Sequence, residues 1–441
     1  MSSSKPYAEL PSSANNKEAV RAFTLAVPDA DLTRIKTLVR LSNVASANYE
    51  NTHADKSNEF GLTREWLAAA KERWENHFDW RKREQLVNSF PNFKAAIPVP
   101  HRGSPSDTSI EIHFAALFSK KKDAVPVVFL HGWPGSFFEF IPILRLLSEK
   151  YPDEAGLPYH VVVPSLPGYG LSDAPPAQRD FGLADAAWML DHLLTKRLGF
   201  TSYVIQGGDV GSFIGRIMGA RYPGCKAVHL NCCRVAPPPD FNPDHLDEVD
   251  KAGLKRTEWF TTTAVAYAMM HSTRPSTVGL VLMSNPLALL AWIGEKFLDW
   301  TDPASFPHTP KSGASSPSAR DRYPYSIELM DEAIAGAALY YLAGCAPTSL
   351  YPYRDLSPRG KGGSATEHPS PDAHVNAPKI LGYSFFPSEV MLAPKDWVAR
   401  SGNLVFFKRH DKGGHFAALE QPAALLEDVE EFVKLLPAAE S

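Results

Sequence analysis

The apolar run Tyr203-Val204-Ile205-Gln206 breaks abruptly into Gly207-Gly208-Asp209-Val210-Gly211, and a helical pattern follows over 212–221. No other stretch narrows the choice of fold as far. A strand, a sharp turn and a helix in that order are the outline of a nucleophile elbow, which holds its central side chain up at the turn. Glycines on both sides let the backbone bend tightly and let neighbouring segments approach. Serine is the usual occupant of the tip; here it is Asp209. A carboxylate there attacks carbon by displacement. The chemistry indicated is ring opening or displacement through an alkyl ester, not peptide or lipid cleavage. The plainer reading of Asp209 is a helix N-cap, for which aspartate is favoured.

Strand signals at 110–117, 125–130, 160–164, 203–206, 227–231, 380–386 and 404–407 alternate with helical signals at 138–150, 183–198, 212–221, 395–400 and 421–435. Such alternation predicts a largely parallel sheet with helices on both faces. It stops between about 235 and 375, where helical patterns rich in Pro, Ala and aromatic residues follow one another without strands. That span reads as a helical insertion between two strands. Helical spacing is also present at 29–41 and 63–78, the latter with Leu67, Ala70, Trp74 and Phe78 on one packing stripe. The Ser/Asn-rich residues 1–20 are expected to be a disordered tail. The Gly/Ser/Pro-rich residues 357–374 are expected to be an exposed loop.

Composition removes several function classes. The 441 residues carry a net charge of −4 with no basic patch, so nucleic acid is not an expected partner. The four cysteines (Cys225, Cys232, Cys233 and Cys345) form no metal-binding spacing and point to a reducing compartment. The N-terminus lacks the apolar region of a secretory signal. The apolar tract 277–293 is broken by Ser284-Asn285-Pro286 and falls short of the roughly 20 residues a spanning helix needs, so it reads as a buried or pocket-lining segment. A soluble, cytoplasmic protein without a transmembrane anchor is the expectation.

Three residues in chain order form a candidate triad: Asp209, Glu389 and His415. Glu389 follows the strand signal at 380–386, and His415 sits in Gly413-Gly414-His415-Phe416 between the last strand and the last helix. All three therefore fall at the carboxyl edge of the sheet, where open α/β sheets place their sites. Nucleophile, acid, histidine is the chain order of α/β-hydrolases. Asp396 and Asp411 are rivals for the acid. Asp396 lies inside a helical pattern, and Asp411 is only four residues before His415. His131-Gly132-Trp133-Pro134-Gly135 directly follows the strand signal at 125–130. The N–H groups of Trp133 and Val210 are candidates for an oxyanion hole, the bland alternative being an ordinary turn. No Gly-x-Ser-x-Gly occurs, which argues against a serine esterase.

Together, His131-Gly-Trp-Pro-Gly, Gly207-Gly-Asp209-Val-Gly, Glu389 after Phe386-Pro387-Ser388, and Gly413-Gly-His415-Phe-Ala-Ala-Leu-Glu-Gln-Pro resemble the epoxide hydrolases of the microsomal and juvenile-hormone type, the soluble fungal members above all. The resemblance covers nearly the whole chain and implies an α/β-hydrolase fold with a helical cap and an N-terminal wrapping segment. On that basis residues 21–120 are expected to form the N-terminal module, 121–235 and 376–441 the two parts of the core, and 236–375 the cap. The resemblance also implies that two cap tyrosines, Tyr267 and Tyr353, bind the substrate beside Trp133 and polarise its oxygen. Tyr340, Tyr341 and Tyr351 are neighbours that could be confused with Tyr353. Phenol O–H groups suit the task, since they can donate to a developing alkoxide without a metal.

The function implied is hydrolysis of an apolar or aromatic epoxide to a vicinal diol, in detoxification of xenobiotics or in biosynthesis, with water as co-substrate and no cofactor or metal. A homodimer is expected from the family alone. Residues 267–270 and 280–292 are expected to line the pocket. The alternatives are a haloalkane dehalogenase, which often has Trp where this chain has Val210, and an epoxide-opening cyclase.

Overall fold

The computed structural model describes residues 5–15, 17–53, 57–101, 104–242, 244, 246–306, 326–356 and 374–437. Nine strands among them form one sheet: β1 (Val20–Phe23), β2 (Asn92–His101), β3 (Ser104–Leu117), β4 (Val125–Leu130), β5 (Tyr159–Pro164), β6 (Tyr203–Gly207), β7 (Cys225–Leu230), β8 (Ile380–Phe385) and β9 (Leu404–Arg409). Their spatial order is β1-β2-β3-β5-β4-β6-β7-β8-β9. From β5 to β9 every pairing is parallel, whereas β1, β2 and β3 are added antiparallel. The central strands read as continuous apolar runs because helices cover both of their faces. All of β5 and β6 are buried.

Register decides what meets at the carboxyl edge. Leu130 at the end of β4 pairs with Gly207 at the end of β6. The turn carrying Trp133 therefore lies beside the turn carrying Asp209. Beyond β8 and β9, a bridge between Ser388 and Gly414 brings the Glu389 and His415 loops together.

Between β7 and β8 the described residues contain helices and no named strand. The main ones are Glu248–Trp259, Ala266–Thr273, Pro275–Ser284, Pro286–Trp300 and Ile327–Leu342. No single helix is long and apolar enough to cross a membrane, and Pro275–Ser284 with Pro286–Trp300 bends by 117° at Asn285. This insertion is tied to the N-terminal helices. Arg73 donates two 2.7 Å hydrogen bonds to Asp331, and Arg83 reaches Glu332 at 2.6 Å. Trp66 packs so closely on the helix Pro286–Trp300 that a Cβ on Gly294 would lie 2.6 Å from its ring.

Several expectations change. Residues 5–15 are not a disordered tail. Tyr7 is buried, its amide donates to Glu154 and its hydroxyl to the Tyr151 carbonyl, while Ser13 bonds to the Leu198 carbonyl. The Ser-rich composition hides one aromatic anchor that fixes the segment. In the helix Arg64–Asn76 the buried stripe is Trp66, Ala70 and Trp74, with Leu67 only half-buried. The larger indole takes the core-facing position. Met269, Met270, Leu280 and Val281, expected to line a pocket, are exposed, whereas Pro286–Trp300 is mostly buried. A short helix has two sides, and an apolar tract says nothing about which side faces in. Of the predicted loop at 357–374, only His374 lies within the described residues.

Candidate active site

Asp209 begins the helix Asp209–Arg221, three residues earlier than helical spacing predicts. Its φ is +41°, a region that costs a residue with a Cβ about 1–3 kcal/mol and is tolerated where the surroundings enforce it. The glycines around it leave room for the bend. A Cβ on Gly211 would overlap the Leu130 carbonyl, one on Gly132 would overlap the Asp209 carboxylate, and one on Gly207 would lie 2.6 Å from the Gly211 oxygen.

The carboxylate is held from two sides. The Trp133 amide donates to Oδ1 at 2.7 Å, and Nε2 of His415 lies 3.4 Å from Oδ2. Nδ1 of His415 is 2.8 Å from Oε1 of Glu389, which also accepts from the Val390 and Met391 amides at 2.6 and 3.0 Å. Glu389 is fully buried and His415 nearly so. The rivals Asp396 and Asp411 are both exposed. Burial disfavours a charge on His415, but Glu389 and Asp209 on either side outweigh it and raise the imidazole well above its usual value. Val210 is buried in the first turn of its helix, where amides lack an acceptor within the helix.

Tyr267 and Tyr353 come together from separate helices of the insertion. Their rings are 5.7 Å apart, edge to face. The Tyr267 ring stacks on Trp133 at 5.1 Å. Burial raises both phenols well above their ordinary value, so they are neutral donors. The rival tyrosines are placed otherwise. The Tyr340 hydroxyl donates to the Gly135 carbonyl, and Tyr351 packs on Tyr169 and Phe181.

Sequence reasoning missed three features. His271 is buried, accepts from the Trp292 indole at 3.0 Å and packs 4.6 Å from both the Trp133 and Tyr353 rings. Burial lowers it to about 3, so it is a neutral spacer. A pair of carboxylates clamps the His415 loop. Asp302 accepts from the Gly413 amide at 2.7 Å, Glu420 accepts from the Phe416 and Asp302 amides at 3.0 and 2.8 Å, and the His415 amide donates to the Trp300 carbonyl. Glu139 closes a capping box with Ser136 directly after Gly135. The Ser-x-x-Glu pattern of 136–139 was the legible signal for it; nothing in the sequence pointed to Asp302.

The arrangement is a carboxylate with one oxygen on a backbone donor, an imidazole–carboxylate relay on the other, and two neutral phenols above. Comparisons with known proteins agree. The model of the epoxide hydrolase N terminus matches residues 20–140, and that of the alpha/beta hydrolase fold matches 125–273. The structure of Aspergillus niger epoxide hydrolase is similar over 98% of this chain and 100% of that one, with 44% identity and a TM-score of 0.82. Juvenile hormone epoxide hydrolase from Bombyx mori shares the fold over 94% of each chain, with 24% identity and a TM-score of 0.70. Epoxide hydrolase 1 of Sus scrofa is 31% identical over 86% of this chain and 81% of its own length. The chain belongs to the epoxide hydrolase family and has the α/β-hydrolase fold.

Proposed function

We propose that this enzyme opens an apolar or aromatic epoxide in two steps through a covalent ester on Asp209, beneath a cap formed by residues 236–375 on the core of 121–235 and 376–441. One observation carries the proposal: the carboxylate of Asp209, held at positive φ, has Oδ1 on the Trp133 amide and Oδ2 toward His415. The amide on Oδ1 suits a carbonyl oxygen, which leaves Oδ2 to form the new bond to carbon. As that bond forms, the epoxide C–O bond breaks. Its oxygen, held by Tyr267 and Tyr353, takes a phenolic proton. Phenols raised by burial donate without ionising in the resting enzyme.

In the second step His415, oriented by Glu389, takes a proton from water, and the water oxygen bonds to Cγ of Asp209. The oxyanion that develops on Oδ1 is stabilised by the Trp133 and Val210 amides. The ester bond from Cγ to the alkyl oxygen then breaks, and the leaving oxygen takes the second proton of the added water. The diol leaves with Asp209 regenerated as a carboxylate, the phenolate having regained its proton by way of His415. Replacing His415 with Gln leaves the first step and removes the base. The expected result is an Asp209-bearing peptide heavier by one epoxide, seen by mass spectrometry after incubation with styrene oxide. Unchanged turnover by the variant would remove His415 from the reaction.

A further inference from the structure

Opening the ester requires a water molecule that faces Cγ of Asp209 with one O–H on His415. Its second O–H then needs an acceptor, or the lone pair is not fixed in direction. A small cavity of about 10 Å³, room for the centre of one water, is bounded by Asp209, His415, Trp133, Asn231 and Glu139. Tyr267 and Tyr353 are not among its walls. Glu139 enters this space from the short helical turn Phe137–Phe140, and Oε1 accepts from the Ser136 amide at 3.0 Å. That bond occupies Oε1, and Oε2 is the oxygen available to a molecule in the cavity. Gly135 permits the approach, because a Cβ there would overlap Oε1.

We propose that Glu139 is a further catalytic residue, which accepts a hydrogen bond from the water that cleaves the Asp209 ester and aims its lone pair at Cγ. This rests on the two-step reaction above. No proton moves to Glu139; the proton removed from water goes to Nε2 of His415. Burial pushes the Glu139 carboxyl up to about 8, opposed by the nearby His415 and reinforced by Asp209. The ionised carboxylate accepts through Oε2, and the charge on the nearby His415 favours that form.

The test is Glu139→Gln, studied by rapid quench and mass spectrometry of the Asp209 peptide with styrene oxide. Gln keeps an acceptor for the Ser136 amide and turns an NH2 donor toward the cavity. Alkylation of Asp209 is expected within about threefold of the parent, and ester hydrolysis about tenfold or more slower, so that the ester accumulates. If Glu139 serves only to close its capping box, E139Q hydrolyses the ester at the parental rate and the proposal is overturned. Should E139Q not fold, Glu139→Asp withdraws the acceptor by one methylene; the same slowing is expected, and a parental rate overturns the proposal equally. A parent enzyme that forms no ester at all would instead refute the two-step reaction itself.

Discussion

In the two-step reaction proposed above, Asp209 and His415 share a charge that changes hands. In the resting site the imidazole lies between two carboxylates and is raised well above its usual value despite burial. With a proton on Nε2 it pairs with Oδ2 of Asp209 and is no base. Esterification neutralises Asp209 and removes one of the two charges that sustain the imidazolium. In the reaction proposed above, burial then opposes the imidazolium, its proton passes to the phenolate left by the first step, and a base appears only once there is an ester to hydrolyse. Asp209→Asn imitates that neutral state. His415 in the variant is expected to titrate at lower pH than in the parent, followed by the imidazole nitrogen resonances in NMR. An unchanged or higher titration point would mean that Asp209 does not govern the proton.

At the scale of elements, a strand end is too coarse to place an imidazole, and two carboxylates refine it. Glu420 joins the amides of Phe416 and Asp302, while Asp302 holds Gly413. The cap and the histidine loop are thus bound as one unit. Gly414 is required because a Cβ would lie 2.6 Å from the Trp300 carbonyl. Burial raises Glu420 to about 7. A carboxyl raised above its unfolded value lets the folded state hold its proton longer, so its contribution to stability is present at low pH and is lost as pH rises toward 7. Glu420→Gln deletes that contribution and leaves one amide facing an NH2 group, at about 1–3 kcal/mol. The difference in unfolding free energy between parent and variant, from urea titrations, is expected to shrink between pH 5 and pH 8. A difference that grows over that range contradicts the assignment.

The elements themselves were legible where one physical signal dominated. β4 to β9 carry short, largely apolar runs, of which β5 ends at Pro164 and β6 at Gly207, and each appears within a few residues of its expected place. β1 and β2 carry no such signal. Val20–Phe23 is four residues with two exposed, and Asn92–His101 contains Lys94, Pro98 and Pro100, which depress any strand signal. Pairing of β1 with β2, and of β2 with β3, supplies what local preference lacks. In the site, Asp209, Glu389 and His415 could be found because turns at strand ends mark them. Tyr267 and Tyr353 lie on helices and carry no local mark; only their place in the resemblance singled them out. Glu139, Asp302 and Glu420 act through contacts between distant segments, which spacing along the chain does not encode.

For the whole molecule, the N-terminal segments tie to both the core and the helical insertion. Residues 5–15 fasten to the core through Tyr7 and Ser13, and Arg73 and Arg83 grip the cap helix Ile327–Leu342. A cap held against the sheet keeps bulk water from the epoxide and strengthens every electrostatic contact beneath it. In the reaction proposed above, water then reaches the carbon only by way of the ester. The order of oxygen transfer tests this most directly. With enzyme in excess over styrene oxide, a single turnover in heavy-oxygen water is predicted to leave the label on the Asp209 carboxylate and none on the first diol formed. Label appearing directly in that diol, with Asp209 unlabelled, would contradict covalent catalysis by this residue.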